Sequence, residues 1–462
     1  SLGEELNTHN PKRVRPPAMH SSYSNHGTAM AAYIVEKVSG LSWDQYVQEH
    51  IFDPLGMKKT SFKFSLPQAL RANHAQGYTY NEGQYRSHSF KNIPLAPVGL
   101  AATTAEDMLP FMAAHLNHGR YGDVQLLDSA TSAEMQSPLH VHAEGLRGMC
   151  YGFFDHSRNG YKIIGHGGAT EYFFSFMLLM PEEEVGIFIS TNTQNGTDLI
   201  RKATNAFFDR YFPAKSSPEV HELADDDLEK FTGTYLSNRR PRTRFTKLVA
   251  LFNTPLEVKV KEGKLITGGE NTQIWYPIGA ETFQDSKSTD RIAFGKDEEG
   301  KYSFLYRDAS PHVAYERVST LESRGFNLFV LIMSLGLGIF ACIYWLLSLG
   351  LKNVYRLDRS ADLPATSKFL LGLNVLILIV FAFLYGATLD SAIPHGIKTS
   401  DYFTFILAGG FALLSLVQMV LALRHFSRSI KLRSKLFYFL ISLGMLALVF
   451  LMNYWKLLGF HF

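Results

Sequence analysis

The chain has 462 residues, 45 Lys and Arg against 42 Asp and Glu, a formal net charge of +3 and two cysteines. A charge balance this small gives no electrostatic footprint for nucleic acid, and Cys150 and Cys342, in different segments and without zinc-type spacing, make neither a disulfide framework nor an expected metal site. The length suggests several domains, and a mean hydropathy of −0.03 averages over a shift near residue 325, before which charges are spread throughout and after which long apolar segments dominate.

In chain order, Tyr23-Ser24-Asn25 is followed by an apolar-periodic run over residues 29–38 that stops at Gly40, the pattern of a helix with a glycine stop. Tyr23 is thereby placed in a loop against a helix start. Ser42 and Gln45 are spaced as a capping box for a second helix, expected to end before Asp53-Pro54. Thr104 and Asp107 are spaced to cap a third helix, which Pro110 is expected to interrupt. His166-Gly167-Gly168-Ala169 precedes two strand-like runs, 172–180 and 185–191, that read as an antiparallel hairpin with the histidine and glycines at its entry edge. Residues 213–218 have the composition of a linker. Asp225-Asp226-Asp227 reads as a helix-start cluster, and from about 219 to 318 short alternating runs with turn punctuation (256–260, 275–278, 301–306) read as a small antiparallel β unit. Within it, the run from Arg239 to Arg244 with Lys247 reads as a solvated hairpin face, attraction to anionic lipid headgroups being the alternative.

After residue 325 four segments, 328–350, 369–389, 402–423 and 436–455, lack Asp, Glu, Lys and Arg and are long enough to cross a hydrocarbon core. Trp345 and Trp455 near their ends are expected as interfacial anchors. The first connecting loop carries Lys352, Arg356, Arg359 and Lys368, and the third carries Arg424, Arg428, Lys431, Arg433 and Lys435, whereas the middle loop has only Lys398. The positive-inside rule therefore puts the first and third loops in the cytoplasm and residues 1–320 outside it, in a multi-pass protein of the cell membrane. The absence of charges within the spans argues against a transporter.

Two of these features carry chemistry. Tyr23-Ser24-Asn25, with its continuation to Pro54-Leu55-Gly56-Met57, and His166-Gly167-Gly168 resemble two of the three active-site motifs of the beta-lactamase-related serine hydrolases, the class C beta-lactamases and penicillin-binding-protein-like esterases and peptidases. The likeness extends over roughly residues 11–211. The family's third motif, Ser-x-x-Lys, occurs nowhere in the chain, so the nucleophile has no candidate here, and the sequence reads as an N-terminally incomplete copy. The resemblance implies that Tyr23 shares proton transfer with the missing lysine and protonates the leaving group. Asn25 orients substrate or lysine, His166 supports Tyr23 or a substrate carboxylate, and Gly168 and Ala169 form the backbone side of the substrate and oxyanion site. Together with the apolar segments, which read as a four-helix transmembrane bundle over 325–462, it implies an α+β fold: a partial beta-lactamase-like domain of antiparallel sheet and helices over 1–213 and a small β-barrel-like domain over 219–318. The expected function is a membrane-anchored extracytoplasmic serine hydrolase acting on an ester, amide or lactam through an acyl enzyme, without metal or organic cofactor. Its partners would be a small-molecule, peptide or cell-wall substrate and the lipid bilayer. The alternative is a non-catalytic receptor or sensor that binds peptides or wall fragments in the same cleft.

Overall fold

The computed structural model describes residues 1–8, 10–91, 93, 95–214, 225–268, 272–354, 362–395 and 397–461. Most of the linker-like stretch 213–218 lies outside them, as do Arg356 and Arg359. The chain forms two compact units. One comprises Ser1–Arg239 with Pro255–Arg317, the other Arg240–Thr254 with Val318–Phe462.

In the first unit, helix α1 (Asn25–Ser39) begins where Ser24, in extended conformation, accepts the amide of Gly27 on its hydroxyl. It ends where Gly40, at φ 75°, returns its N–H to Glu36. The expected Ser42 capping box does not form: the Ser42 hydroxyl donates to Asp44 instead, at 2.8 Å, and Gln45 turns to Glu49. Nor does this helical stretch stop before Asp53-Pro54, since a π turn (Gln48–Phe52) passes into Asp53–Leu55, where proline occupies an early position that needs no N–H donor. Helix α2 (Ala105–Leu116) is capped by the Thr104 hydroxyl, which accepts the Asp107 amide at 3.2 Å. Pro110 does not interrupt it. The proline withholds one hydrogen bond, and the acceptor it leaves is on Glu106, an exposed residue that water can satisfy.

The centre of this region is a four-stranded antiparallel sheet in sequence order, β1 (Phe154–Asp155), β2 (Ile164–Ala169), β3 (Phe174–Met180) and β4 (Val185–Thr191). Strand β3 is apolar on both faces because helices cover both. Met177 and Leu179 pack with Met112 of α2, while Leu178 and Met180 pack with Phe208 of α3 (Gly196–Tyr211). The apolar run over 176–180 is therefore what the site-bearing sheet requires.

Eight further strands, β5 (Gly233–Ser237) to β12 (Tyr315–Arg317), close into an antiparallel barrel in which β5 pairs with both β12 and the following strand, Leu256–Lys261. Tyr235, Trp275, Phe283 and Phe294 fill its interior. The two polar tips among them are satisfied, the Tyr235 hydroxyl donating to the Phe231 carbonyl at 2.9 Å and the Trp275 indole to Thr267 at 2.8 Å.

The second unit contains four helices that are long and apolar enough to cross a membrane: α4 (Arg324–Val354), α5 (Ala365–His395), α6 (Tyr402–His425) and α7 (Leu432–Tyr454). The tryptophans are not the outward-facing anchors the sequence suggested. Trp345 is 7% exposed and Trp455 2%, the latter donating its indole N–H to Asn327 at 2.7 Å, so both rings belong to the packed interior. The basic run is not a hairpin, and it is solvated only in part, Arg239 and Arg244 being exposed. Arg240 is buried in an ion pair with Glu322 at 3.1 Å, and the short helix that follows, Phe245–Phe252, buries Phe245 against Tyr385 and Phe405.

Candidate active site

Tyr23 lies just before the Ser24 cap, and its backbone is clamped from the barrel: its N–H donates to the His312 carbonyl at 2.9 Å, and Ser22 forms a β-bridge with Val313. A phenol on such a loop has one adjustable side chain on a fixed backbone. Its ring stands 6.1 Å from that of His166 on β2, 6.0 Å edge-on from Phe154 on β1, and 6.0 Å edge-on from His312. Phe154 is the centre of the group, 4.7 Å from His166 and stacked at 4.8 Å and 5° on His312. The guanidinium of Arg239, an exposed residue two positions beyond β5, lies 4.9 Å over the Tyr23 ring, a cation–π geometry.

The structure thus brings together Tyr23 and His166, which the motifs singled out, and adds Phe154, Arg239 and His312. Asn25 is the first residue of α1, exposed and without a side-chain hydrogen bond among the described residues. Gly168 and Ala169 are exposed at the end of β2, opposite Ser175 and Phe174. Strand β1 pairs only with Ile164 and Gly165, so from His166 to Ala169 the far edge of β2 has no neighbouring strand among the described residues. That edge offers unpaired backbone groups of the kind that bind an extended substrate or an oxyanion. Nothing lies within 4 Å of where a Gly168 side chain would start, so the backbone there can be approached closely.

The histidines are held neutral by burial. His166 is pushed below its ordinary value by desolvation, partly opposed by its hydrogen bond to the Gly167 carbonyl at 2.8 Å. A carbonyl only accepts, so Nδ1 carries the proton and Nε2 is left as an acceptor. Burial, helped by Arg239 and His166, lowers His312 to about 4. Behind the sheet His156, against the edge of Phe176 at 5.1 Å, falls to about 3 through burial reinforced by Arg147 and Arg158. At neutral pH the surroundings of Tyr23 therefore contain one fixed cation, Arg239, and uncharged imidazoles.

Of the residues the motifs did not supply, Arg239 was visible only as part of a basic run, and His312 sits in a loop with no signal of its own. Both come from the barrel, and their proximity to Tyr23 is a tertiary fact. No group of three or more His, Cys, Asp or Glu able to hold a metal occurs among the described residues.

The family model described as Beta-lactamase matches residues 5–209. Penicillin-binding protein 4 of Amycolatopsis lactamdurans is 28% identical over 234 residues, covering 48% of this chain and 60% of the relative. A putative D-alanyl-D-alanine carboxypeptidase of Escherichia coli (strain K12) is 30% identical over 148 residues, covering 28% of this chain and 33% of the relative. The chain thus spans between a third and three-fifths of the length of these two curated relatives. Among solved structures, SurE with D-Leu aligns at 18% identity and a TM-score of 0.45 over 69% of this chain and 72% of that one.

Proposed function

We propose that residues 5–209, which belong to the beta-lactamase family, supply the acid–base and substrate-binding side of a serine-hydrolase site that acts by acyl transfer on an ester, amide or lactam. The observation that carries this reading is the convergence of Tyr23 and His166, 6.1 Å apart, beside the open edge of β2 at Gly168. In it, the Tyr23 phenol relays a proton between nucleophile and leaving group. The Nε2 acceptor of His166 orients the phenol or the substrate, and backbone N–H groups near Gly168 and Ala169 receive the carbonyl oxygen as it gains charge. The nucleophile is a Ser-x-x-Lys that is not among these 462 residues. A small molecule, peptide or cell-wall fragment is the substrate class, and no metal or organic cofactor takes part.

The four apolar helices anchor this site to a membrane, with residues 1–320 on the extracytoplasmic side, and the chain is organised as a hydrolase region (1–213), a barrel (219–318) and a membrane domain (325–462). The test is labelling by a serine-directed fluorophosphonate. The chain Ser1–Phe462 should not react, whereas a version joined to a family segment bearing Ser-x-x-Lys should react and lose most of its turnover when Tyr23 becomes Phe. Stoichiometric labelling of Ser1–Phe462 itself, or full turnover without the phenol, overturns the proposal. Retained peptide binding with no turnover in the joined protein establishes instead the receptor reading, in which the same cleft only binds.

A further inference from the structure

Away from Tyr23, a cavity of about 490 Å³ opens between the segment 145–162 and the barrel, and its lining carries more basic than acidic side chains. Arg147, Arg158, Lys162 and Arg291 converge on it, with Asp155 and Asp308 as its acids. The acids are already occupied. Asp308, 4% exposed, accepts the backbone N–H of Arg147 at 2.8 Å and of Arg291 at 3.0 Å, and Asp155 accepts the N–H of Ser157 at 2.8 Å. Of the four cations only Arg147 has an ion pair among the described residues, with Asp290 at 2.9 Å.

The two other arginines donate to neutral groups. Arg158 donates to the Asn205 amide oxygen at 2.6 Å and lies 4.1 Å over the Phe208 ring, while Arg291 donates to the Gly145 carbonyl at 2.7 Å. The Arg291 Nε–H is buried without an acceptor, a donor that an anion in the cavity could use, whereas the side-chain oxygen of Gln284, a lining residue only 5% exposed, is buried without a donor. Buried polar groups are rarely left unpaired, and guanidinium groups held in place before binding spare a ligand the entropy of ordering them.

From this geometry we infer a second binding site, separate from the Tyr23 cleft, for a phosphorylated small molecule whose phosphate oxygens are received by Arg158, Lys162 and Arg291. Guanidinium forks match phosphate oxygens in pairs, and the cavity is of the size that holds a small ligand. The inference does not depend on the hydrolase reading, because no group at the Tyr23 cleft takes part.

The test is isothermal titration of the full chain in detergent with pyrophosphate at constant ionic strength, with citrate as the control anion. Saturable one-site binding is expected. Lys162→Gln and Arg291→Gln should each weaken it about tenfold or more, the loss of one charge-assisted contact. Lys162→Arg should retain it, and citrate should bind at least about tenfold more weakly. Thermal midpoints establish that the variants are folded, and if Arg291→Gln does not fold, Lys162→Gln decides, because Lys162 is partly exposed and holds no ion pair among the described residues. Absence of saturable binding, undiminished binding by Lys162→Gln, or citrate binding as tightly as pyrophosphate overturns the assignment.

Discussion

Acid should destabilise the first unit through His156, and the size of the effect follows from its surroundings. The imidazole is enclosed with Phe176 at its edge and Arg147 and Arg158 near enough to oppose a further charge, so its pKa falls to about 3 in the folded protein against 6.5 in the open chain. Because the folded value is depressed, the unfolded state binds the proton first. Stability from this group is complete above about pH 6.5 and is lost as pH falls towards 3. Between pH 7 and pH 4.5 the unfolded chain takes up nearly one proton at this position and the folded chain almost none, a loss of about 2–3 kcal/mol. His115 and His142, both lowered to about 4 by burial, add to the same acid limb, so wild type alone does not isolate His156. The measurement is therefore a difference. Urea unfolding of the full chain in detergent, followed by fluorescence at pH 7 and pH 4.5, is compared with His156→Gln, which keeps a polar side chain that does not titrate. The variant should lose about 2–3 kcal/mol less on acidification than wild type. Equal losses would refute the claim that this imidazole is held neutral.

In a nucleophile-bearing version of the protein, Tyr23→Phe should lower turnover by roughly 10²- to 10⁴-fold with the fold intact, and His166→Ala by less and in a substrate-dependent way; an unchanged turnover number removes the phenol from the mechanism. His312→Ala removes a stacked and an edge-on aromatic contact, each worth about 0.5–1.5 kcal/mol, and should reduce turnover less than Tyr23→Phe does, whereas His312→Phe should largely restore it. Asp107→Ala should cost about 2–4 kcal/mol in thermal unfolding, because its buried carboxylate accepts from the Lys59 amide and the Thr60 hydroxyl, each at 2.7 Å; a loss below about 1 kcal/mol would show the carboxylate to be dispensable. In intact cells a cysteine at Lys12 should react with an impermeant maleimide and one at Arg428 should not, and the reverse pattern would invert the proposed membrane topology.

What was legible in the sequence was local. The stop at Gly40, the Thr104 cap and the strand 185–191 each follow from backbone preferences of a few neighbouring residues, and each stands in the structure where the pattern put it. The four apolar helices were legible for the same reason, since length and composition are properties of a segment alone. The misreadings arose where one partner displaced another that the pattern favoured. For Ser42 the competitor was local, Asp44 two residues on, whereas Trp345 and Trp455 were drawn inward by neighbouring helices. Pro110 is tolerated because a single lost backbone bond at an exposed turn does not outweigh the packing of Met112 against β3. The surroundings of Tyr23 were half legible: Tyr23 and His166 stand in recognisable wording, whereas Arg239 and His312 reach them only through the barrel.

That dependence gives the barrel a physical role at the Tyr23 cleft. Asp308 accepts backbone N–H groups from Arg147 and Arg291, which lie on opposite sides of the junction, and a carboxylate 4% exposed would be costly there without both of them. Asn238 donates to the Ser21 carbonyl at 2.9 Å, Ser21 in turn donates its N–H to His142, and Arg147 pairs with Asp290. Surface ion pairs contribute little, but Arg147 is only 12% exposed, and the Asp308 and Asn238 bonds are at least partly buried, so separating the barrel would strand polar groups on both sides. The consequence for Tyr23 is direct. The acceptor of its backbone N–H, the bridge partner of Ser22 and the ring stacked on Phe154 all come from residues 312–313, so the position of the phenol is set jointly by the family region and by a loop some hundred residues beyond its end.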